Sequence, residues 1–385
     1  MHQSSAPEGS AEPENSQGMN DPCFSAIDLF SGCGGLSLGL RRAGFRVAAA
    51  VELHSRAANT YSRNHPGTQV LIRDLRSVSG EQLQAATGCE KVSLVVGCAP
   101  CQGFCSLTSK YSREDERNGL LMEMARIVRE LQPDAVMMEN VPGLASRGKV
   151  IFSNFMEALE EEGYLPEARI VQMANYGVPQ YRRRLVTLAG KGFRIPFPAC
   201  THARLPKPGS QQVPWVTVRS AIHEMSPPLK LSEARKNGGP RKNNWHVVRD
   251  LQPQTKARLK AAQPGKTWLE VEERLRPKCH RDGYKGFTNV YGRMKWDDVS
   301  VTITGGCTTP CKGRFGHPDR RRTTISVREA ALLQTFPESY VFECDFIDEV
   351  CEMIGNAVPP LFAECIGIEI RKALEERYES VAGES

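Results

Sequence analysis

The sequence predicts an α/β protein in which a doubly wound, mostly parallel sheet is followed by a smaller and irregular region. Two observations predict this fold. Up to about residue 190, short apolar runs without regular polar alternation are separated by helical patterns of about 10–15 residues, as expected for strands that helices bury on both faces. After Gly190 the helical periodicity fades, Pro and Gly become frequent and basic residues accumulate, which indicates a domain boundary.

Each strand of the first part is predicted from an apolar run, and each helix from the pattern that follows it. The predicted strands are residues 26–30, 45–52, 92–96, 135–138 and 185–189. The predicted helices are residues 36–42, 54–64, 120–131 and 150–162, and three of them end at Gly44, before Pro66 and at Gly163. Apolar periodicity returns at about residue 346, and residues 360–378 predict an amphipathic helix that packs back on the first domain.

The composition excludes several classes of protein. The 385 residues are 40% hydrophobic and 24% charged, which excludes general disorder. No run approaches the ~20 consecutive apolar residues of a membrane helix. Residues 1–22 are polar and predict a disordered tail rather than a signal peptide, with Met19 as an alternative start. Thirteen cysteines without a secretion signal indicate reduced thiols and a cytoplasmic protein.

Positive charge is concentrated in one segment. Residues 191–300 contain 22 Lys and Arg against 9 Asp and Glu, a balance of +13, and extension to residue 322 raises it to +17. The net charge of the whole chain is only +6. Such a segment suits a polyanion, most commonly a phosphate backbone. A basic surface that serves only solubility is the alternative interpretation.

A glycine-rich turn predicts a ligand site at the end of the first strand. Residues 28–35 read DLFSGCGG and open a helix, so backbone can approach a ligand closely. Glu52, at the end of the next strand, can accept both hydroxyls of a ribose, and Asp74 can bind an adenine amine. The spacing G-x-G-G departs from the dinucleotide pattern G-x-G-x-x-G, which argues against a pyrophosphate. These residues suggest an adenosine ligand with a zwitterionic tail, and a simple tight turn is the alternative.

A candidate nucleophile follows the predicted strand 92–96. Cys101 lies in a loop at the carboxyl end of that strand, where doubly wound sheets bind ligands and where cations lower a thiol pKa. Two alternatives stay open: a redox pair of Cys98 and Cys101, or a zinc site completed by Cys307, Cys311 and His317. The second set has irregular spacing for zinc, so no metal site is expected.

Two further strands bring polar side chains to the same crevice. Glu139 ends the predicted strand 135–138 and can share a proton with a heteroaromatic ring nitrogen. Arg182 and Arg184 lie on one side of an extended segment, by the two-residue repeat of strands, and suit a phosphate or a ring carbonyl. A capping or surface glutamate and a solvated basic face are the respective alternatives.

The order of these features resembles the DNA (cytosine-5)-methyltransferase family, of the bacterial restriction–modification type. The matching segments are DLFSGCGGLSLG (28–39), Glu52, Asp74, PCQGF (100–104), NGLLMEMARIV (118–128), ENVPG (139–143), NYGVPQYRRR (175–184), VREAALLQTFP (327–337) and GNAVPP (355–360). Two departures are small: Cys98-Ala99 stands where the family usually has Gly or Ser and Pro, and Ala357 replaces a common Ser.

The resemblance implies a class I, Rossmann-like methyltransferase fold, S-adenosylmethionine as cofactor and a covalent mechanism. Cys101 would attack cytosine C6, Glu139 would hold N3, and Arg184 with Arg182 would hold O2, the sugar-phosphate or the catalytic loop. The implied cofactor contacts are Phe30, Ser31, Gly32, Gly34, Gly35, Leu36, Glu52, Leu53, Asp74, Leu75, Pro100, Leu120, Asn356 and Val358. The cytosine would have to be flipped out of the duplex.

By the same resemblance the chain divides into a tail (1–22), a catalytic domain (23–190), a target-recognition domain (191–344) and a returning C-terminal segment (345–385). The expected partner is double-stranded DNA, contacted among others by Gln102, Ser106, Arg314 and Arg320. We expect a monomer that acts on the bacterial nucleoid, with or without a cognate restriction endonuclease. Three alternatives stay open: an RNA cytosine methyltransferase, an inactive DNA-binding regulator and a small-molecule methyltransferase.

Overall fold

The computed structural model describes residues 24–100, 119–281 and 287–383, and its centre is a seven-stranded sheet. The strands are β1 (Ser25–Leu29), β2 (Arg46–Glu52), β3 (Gln69–Ile72), β4 (Leu94–Gly97), β5 (Ala135–Asn140), β6 (Tyr164–Gln172) and β7 (Arg183–Lys191). Their order in the sheet is β3-β2-β1-β4-β5-β7-β6, and β7 runs opposite to the other six strands. The predicted mostly parallel sheet is therefore confirmed.

Helices cover both faces of this sheet. The helices of the first part are α1 (Gly35–Arg42), α2 (Ser55–Asn64), α3 (Gly80–Thr87), α4 (Leu120–Leu131) and α5 (Lys149–Glu161). Leu36 and Leu40 of α1 pack on one face of the sheet together with Phe362 and Ile366 from the C-terminal helix. Apolar residues of α3, α4 and α5 cover the opposite face. The fold is accordingly doubly wound.

Three elements of the sheet domain were absent from the sequence prediction: strand β3, strand β6 and helix α3. Strand β3 has only four residues, none of them buried. Strand β6 lies at the sheet edge, and its residues alternate irregularly between buried and exposed positions, with Pro166 among them. Such a strand carries no buried apolar run that could be recognised in a sequence. Helix α3 has a short and weak apolar pattern, and its start is defined instead by a capping box between Ser79 and Gln82.

The region after β7 is built from short elements. It contains α6 (Val218–Ile222), α7 (Leu231–Lys236), α8 (Pro253–Ala261) and the two-residue strands β8 (His202–Ala203), β9 (Val213–Pro214), β10 (Leu229–Lys230) and β11 (Val247–Val248). Helices α9 (Val327–Leu333) and α10 (Ile347–Asn356) share an apolar cluster with this region. Only α11 (Pro360–Gly383) returns to the sheet, as the sequence predicted for residues 360–378.

The C-terminal helices also bear on membrane insertion. Within the described residues, the segment Ile347–Gly383 is long and apolar enough to span a membrane by length and composition alone. Of its most apolar 18-residue window, 61% is buried inside the protein. Burial of this kind is typical of a helix that belongs to a protein core.

Candidate active site

The strand registers bring the predicted site residues to one edge of the sheet. Leu29 at the end of β1 pairs with Val51 of β2 and with Gly97 of β4, and Gly97 pairs with Met138 of β5. The glycine-rich turn, Glu52, the segment before Cys101 and Glu139 therefore follow neighbouring strand ends. This carboxyl edge is where open α/β sheets bind their ligands.

The turn after β1 has an unusual backbone that keeps one side open. Phe30, Gly32 and Gly34 all have positive φ values, of 59°, 55° and 93°. A Cβ built on Gly32 would meet no atom within 4 Å, so this turn borders free space. The Ser31 hydroxyl is buried and has no hydrogen-bond partner within the described structure. An unpaired buried hydroxyl beside an open backbone turn fits a polar ligand.

Glu52 is oriented toward this turn by backbone donors. The Gly32 N–H donates to one carboxylate oxygen and the His54 N–H to the other, each at 2.8 Å. The side chain is only 8% exposed. Two fixed donors hold the carboxylate while each oxygen retains a lone pair, so Glu52 can accept from the two hydroxyls of a ribose.

A buried polar network supports the turn from below. The Ser37 hydroxyl donates to Asp28 at 2.5 Å and lies 2.7 Å from the Tyr61 hydroxyl. Burial raises the pKa of Asp28 to about 7, and the nearby Glu52 charge adds to this rise. Behind Gly34, His65 lies 3.1 Å from the Tyr340 hydroxyl, which donates to the Cys33 carbonyl. This network was not predicted from the sequence.

The other residues predicted for the adenosine end lie around the ends of β2 and β3. The Asp74 carboxylate accepts from the backbone N–H and the guanidinium of Arg76, which holds the Asp74 pKa below its usual range. An adenine amine would therefore share this carboxylate with Arg76. Leu53 is 57% exposed and can flank a ring, whereas the Leu75 side chain is buried and leaves only its backbone for a ligand.

The C-terminal loop reaches the start of α1. A Cβ on Gly35 would lie 2.6 Å from the Val358 carbonyl oxygen, so only glycine permits this approach. Val358 is buried and Asn356 exposed, at the end of α10. Leu120, at the start of α4, is buried, and Pro100 is half-buried. The geometry brings the loop 356–358 next to the glycine-rich turn, and the individual cofactor contacts stay predictions.

Glu139 and Arg184 form a buried pair at the end of β5. Arg184 Nε lies 3.0 Å from Glu139 Oε1, and the two side chains are 15% and 6% exposed. The N–H does not point at this oxygen, which accepts no hydrogen bond within the described structure. A buried carboxylate that is charge-paired but retains an unused acceptor suits a ring N–H or an exocyclic amine.

Cys101 lies outside the described residues, as do Gln102 and Ser106, so their predicted roles stay predictions. The segment that leads to Cys101 is nevertheless anchored. The Asn140 side-chain amide donates to the Ala99 carbonyl at 3.1 Å, and both residues are buried. Asn140 is thus a positioning residue that the sequence analysis missed, although it stands next to Glu139 in the ENVPG motif.

The two predicted arginines have different partners. The Arg182 guanidinium is 1% exposed and donates to the carbonyls of Ile303, Gly355 and Ala357 at 3.1–3.2 Å. These contacts bind backbone segments to one another. Arg184 alone contacts the Glu139 carboxylate among the described residues. A catalytic role for Arg182 stays a prediction, and its contacts describe a positioning residue.

The residues predicted to meet DNA or metal lie in the irregular region. Arg320 is exposed, whereas Arg314 is half-buried and donates to the Gly265 carbonyl at 2.7 Å. Cys307 is buried, Cys311 is exposed, and His317 is buried beside Glu329. Among the described residues, no group of three His, Cys, Asp or Glu side chains is arranged to hold a metal ion.

Comparisons with known proteins agree with this geometry. The family model for C-5 cytosine-specific DNA methylase matches residues 24–372. The type II methylase M.HgiDII of Herpetosiphon aurantiacus is 37% identical over 361 residues, which are 92% of this chain and 97% of the relative. The type II methyltransferase M1.HphI of Haemophilus parahaemolyticus is 33% identical and covers 90% of this chain and 86% of its own length.

A solved structure supports the fold separately. An Escherichia coli prophage protein, described as a DNA modification methyltransferase, superposes with a TM-score of 0.69 over 91% of this chain and 99% of its own, at 24% identity. At that identity the likeness shows the fold alone. The sequence matches extend over nearly the whole chain and show the family. The chain therefore belongs to the C-5 cytosine-specific DNA methylase family.

Proposed function

We propose that this protein transfers the methyl group of S-adenosylmethionine to C5 of a flipped-out cytosine in a short, specific sequence of duplex DNA, through a covalent adduct with Cys101. The observation that carries the proposal is the sheet edge itself. A turn fit for an adenosine ligand and the Glu139–Arg184 pair follow neighbouring strands, on either side of the segment that leads to Cys101.

The residues of the turn fit this cofactor. Glu52 would accept from the ribose hydroxyls, the open side of Gly32 would admit the sugar and methionine carbons, and the Ser31 hydroxyl would gain the partner that it lacks. Asn356 and Val358 would hold the methionine end. When bound, S-adenosylmethionine supplies an electrophilic methyl group.

The chain's own side chains would activate the cytosine. Cytosine C5 is a weak nucleophile, and addition of the Cys101 thiolate to C6 breaks the aromatic system and moves electron density to C5. Glu139 would give a proton to N3 as this charge develops and take it back when the ring is restored, and Arg184 would fix Glu139 and the ring carbonyl O2. After methyl transfer, loss of the C5 proton expels the thiolate from C6 and restores the ring.

The DNA substrate is favoured over the RNA alternative by the family model, whose description is DNA-specific, and by relatives named as type II methylases. The positively charged segment 191–322 supports a duplex partner. We assign the protein to the bacterial cytoplasm as a monomer that acts on nucleoid DNA. It would serve as the modification enzyme of a restriction–modification system or as a solitary methylase.

The test is bisulfite sequencing of plasmid DNA from a methylation-deficient host that expresses the chain. Protected cytosines should recur in one short sequence, which also identifies the target. If the purified protein binds S-adenosylmethionine but no cytosine is protected, the proposal is wrong, and an RNA substrate or an inactive DNA-binding protein takes its place.

Replacement of the nucleophile tests the covalent step. Cys101→Ala should abolish methyl transfer, because it removes the thiol that would form the C6 adduct, while cofactor and DNA binding persist. Incorporation of labelled methyl groups into target duplex measures the reaction. Cys311→Ala, which removes an exposed cysteine of the irregular region, is the control and should keep wild-type turnover. Turnover by Cys101→Ala would contradict the covalent mechanism.

A further inference from the structure

Three buried polar side chains join the irregular region to the sheet domain. They are Gln180, Arg182 and Gln334, at most 1% exposed, and we refer to them together as the polar clasp. Gln180 and Arg182 stand just before β7, beside Arg184, and Gln334 follows α9. Buried polar groups of this kind are costly unless each finds a partner, so their partners define what the clasp holds.

The first of these partners is the segment 300–305 of the irregular region. The Ile303 N–H donates to the Gln180 side chain at 2.9 Å, and the Ile303 carbonyl accepts from Arg182 at 3.2 Å. The backbones of residues 179–181 and of Ser300 are also joined: the Tyr181 N–H donates to the Ser300 carbonyl at 2.8 Å, and the Ser300 N–H donates to the Pro179 carbonyl at 3.0 Å. Both backbone groups of Ile303 are thus fixed by side chains of the sheet domain.

The second partner is the loop that reaches the glycine-rich turn. Gln334 donates to the carbonyls of Ile354 and Ala357 at 2.9 and 2.8 Å, and Arg182 donates to those of Gly355 and Ala357. Gln180 donates to the Gln334 side chain, which closes the set. The three connected side chains of the polar clasp therefore hydrogen-bond both to the backbone of Ile303 and to the loop 354–357.

The two held segments also touch each other directly. A Cβ on Gly355 would overlap the backbone of Thr304 and Gly305. On its other side the loop meets the turn, where Val358 contacts Gly35. Gly305, Gly355 and Gly35 have no side chains that could adjust at these contacts. A displacement of residues 303–305 must therefore displace the loop 354–357 as well, unless the hydrogen bonds of the polar clasp prevent it.

We propose that the polar clasp couples DNA binding to cofactor binding, so that each ligand stabilises the segment that the other needs. This inference rests on the proposed function, which assigns the positively charged segment 191–322, and with it residues 303–305, to duplex DNA and assigns Asn356 and Val358 to the cofactor. Arg182 is then a positioning residue, because it affects the two ligands only through the segments whose carbonyls it binds. The alternative is that the clasp only stabilises the fold.

Arg328 offers a matched control for that alternative. Its guanidinium is also 1% exposed and donates to backbone carbonyls, those of Asn244 and Tyr340 at 2.9 and 2.8 Å. Neither acceptor belongs to the segment 303–305 or the loop 354–357. Arg182→Lys and Arg328→Lys should therefore cost similar stability, while only the first removes the connection between the two segments.

The experiment measures the dissociation constant of a fluorescent duplex, carrying the sequence recovered by bisulfite sequencing, with and without S-adenosylhomocysteine. For the wild type and for Arg328→Lys, we expect the cofactor product to tighten DNA binding by about 10-fold, within the usual range of coupling between two sites. For Arg182→Lys and Gln334→Met the tightening should fall to about 2-fold or less.

Equal coupling in all four proteins, or an equal loss in Arg328→Lys, would overturn the inference while leaving the proposed function intact. A wild type that binds neither ligand would overturn the proposed function and the inference with it. If the clasp variants do not fold, hydrogen exchange of the wild type decides. S-adenosylhomocysteine alone should slow exchange of the Ile303 amide, and unchanged exchange there would refute the coupling.

Discussion

The two parts of this protein are held together by different kinds of hydrogen bond. In the sheet domain, strands of up to nine residues pair through their backbones, and backbone N–H groups orient the key carboxylate, Glu52. In the region after β7, the four described strands have two residues each. Arginine side chains supply donors there: Arg293 donates through Nε to the Leu259 carbonyl at 2.8 Å and through one terminal nitrogen to the carbonyls of His317 and Arg322 at 2.6 and 3.0 Å.

This difference changes how the positive charge of the segment is interpreted. Arg293 is 1% exposed, and Arg276 and Arg281 also donate to nearby backbone carbonyls. A chain with few paired strands leaves carbonyls without donors, and the guanidinium, with five N–H groups, satisfies several at once. Part of the charge that the sequence suggested for a phosphate backbone therefore holds the region together from inside.

The largest effect is expected in the sheet domain. Glu139→Gln removes the acceptor charge beside Arg184 and should lower kcat by about 10²–10⁴-fold, the usual contribution of a positioned acid or base. DNA affinity and cofactor affinity should stay near wild type. Single-turnover methylation with saturating cofactor measures the loss, and a variant that retained full turnover would remove Glu139 from the mechanism.

Arg293→Met should produce the opposite pattern. Each buried carbonyl left without a donor costs about 1–3 kcal/mol of stability. DNA binding must restore the lost conformation of this region, and about 1.4 kcal/mol spent in this way corresponds to tenfold in affinity. We expect DNA binding to weaken by at least about 10-fold while the affinity for S-adenosylhomocysteine is retained. Titrations of the two ligands by anisotropy and calorimetry check this. Equal loss of both affinities would show that the two parts do not fold or bind separately.

A smaller effect concerns pH and the support of the turn. Because the Asp28 pKa is raised from 3.8 to about 7, the folded protein holds a proton that the unfolded chain releases between those values. The stability from this group is therefore full below pH 4 and declines as pH rises toward 7. Asp28→Asn should flatten that decline and raise Tm at pH 8 by a few degrees, as measured by calorimetry. Glu160→Gln, at an exposed position, should leave the decline unchanged.

The smallest effect is expected at the exposed charges. Arg320 is exposed and bonds only one carbonyl, that of Lys260, among the described residues, whereas the Arg321 guanidinium is held by Asp319. If Arg320 meets a phosphate, Arg320→Gln should reduce the slope of log K against log salt by about one, equally for all sequences. Arg321→Gln should change the slope less. If Arg321→Gln reduced the slope more than Arg320→Gln did, Arg321 rather than Arg320 would be the residue that contacts a phosphate.

The predictability of the site follows the same division. The glycine-rich turn and Glu139 were predictable because a strand end and a local motif place them, whatever the rest of the chain does. The contacts of Arg182 were not predictable, because its partner Gly355 is 173 residues away in the sequence. The acceptor is also a backbone carbonyl, which every residue type has. Arg293 was counted as surface charge for the same reason. The local periodicity of apolar residues predicts which side chains are buried against a sheet. It does not predict which distant backbone carbonyl accepts a hydrogen bond from an arginine.

The contact between Gly35 and Val358 has a consequence for the order of events during synthesis. The proposed cofactor pocket would be formed by the turn 28–35 and by the loop 356–358, which is synthesised more than 300 residues later. A nascent chain that stops before α10 therefore contains Glu52, Cys101 and Glu139 but lacks the loop 356–358. Premature termination should yield a protein without cofactor affinity, so partial translation products would be unable to modify DNA.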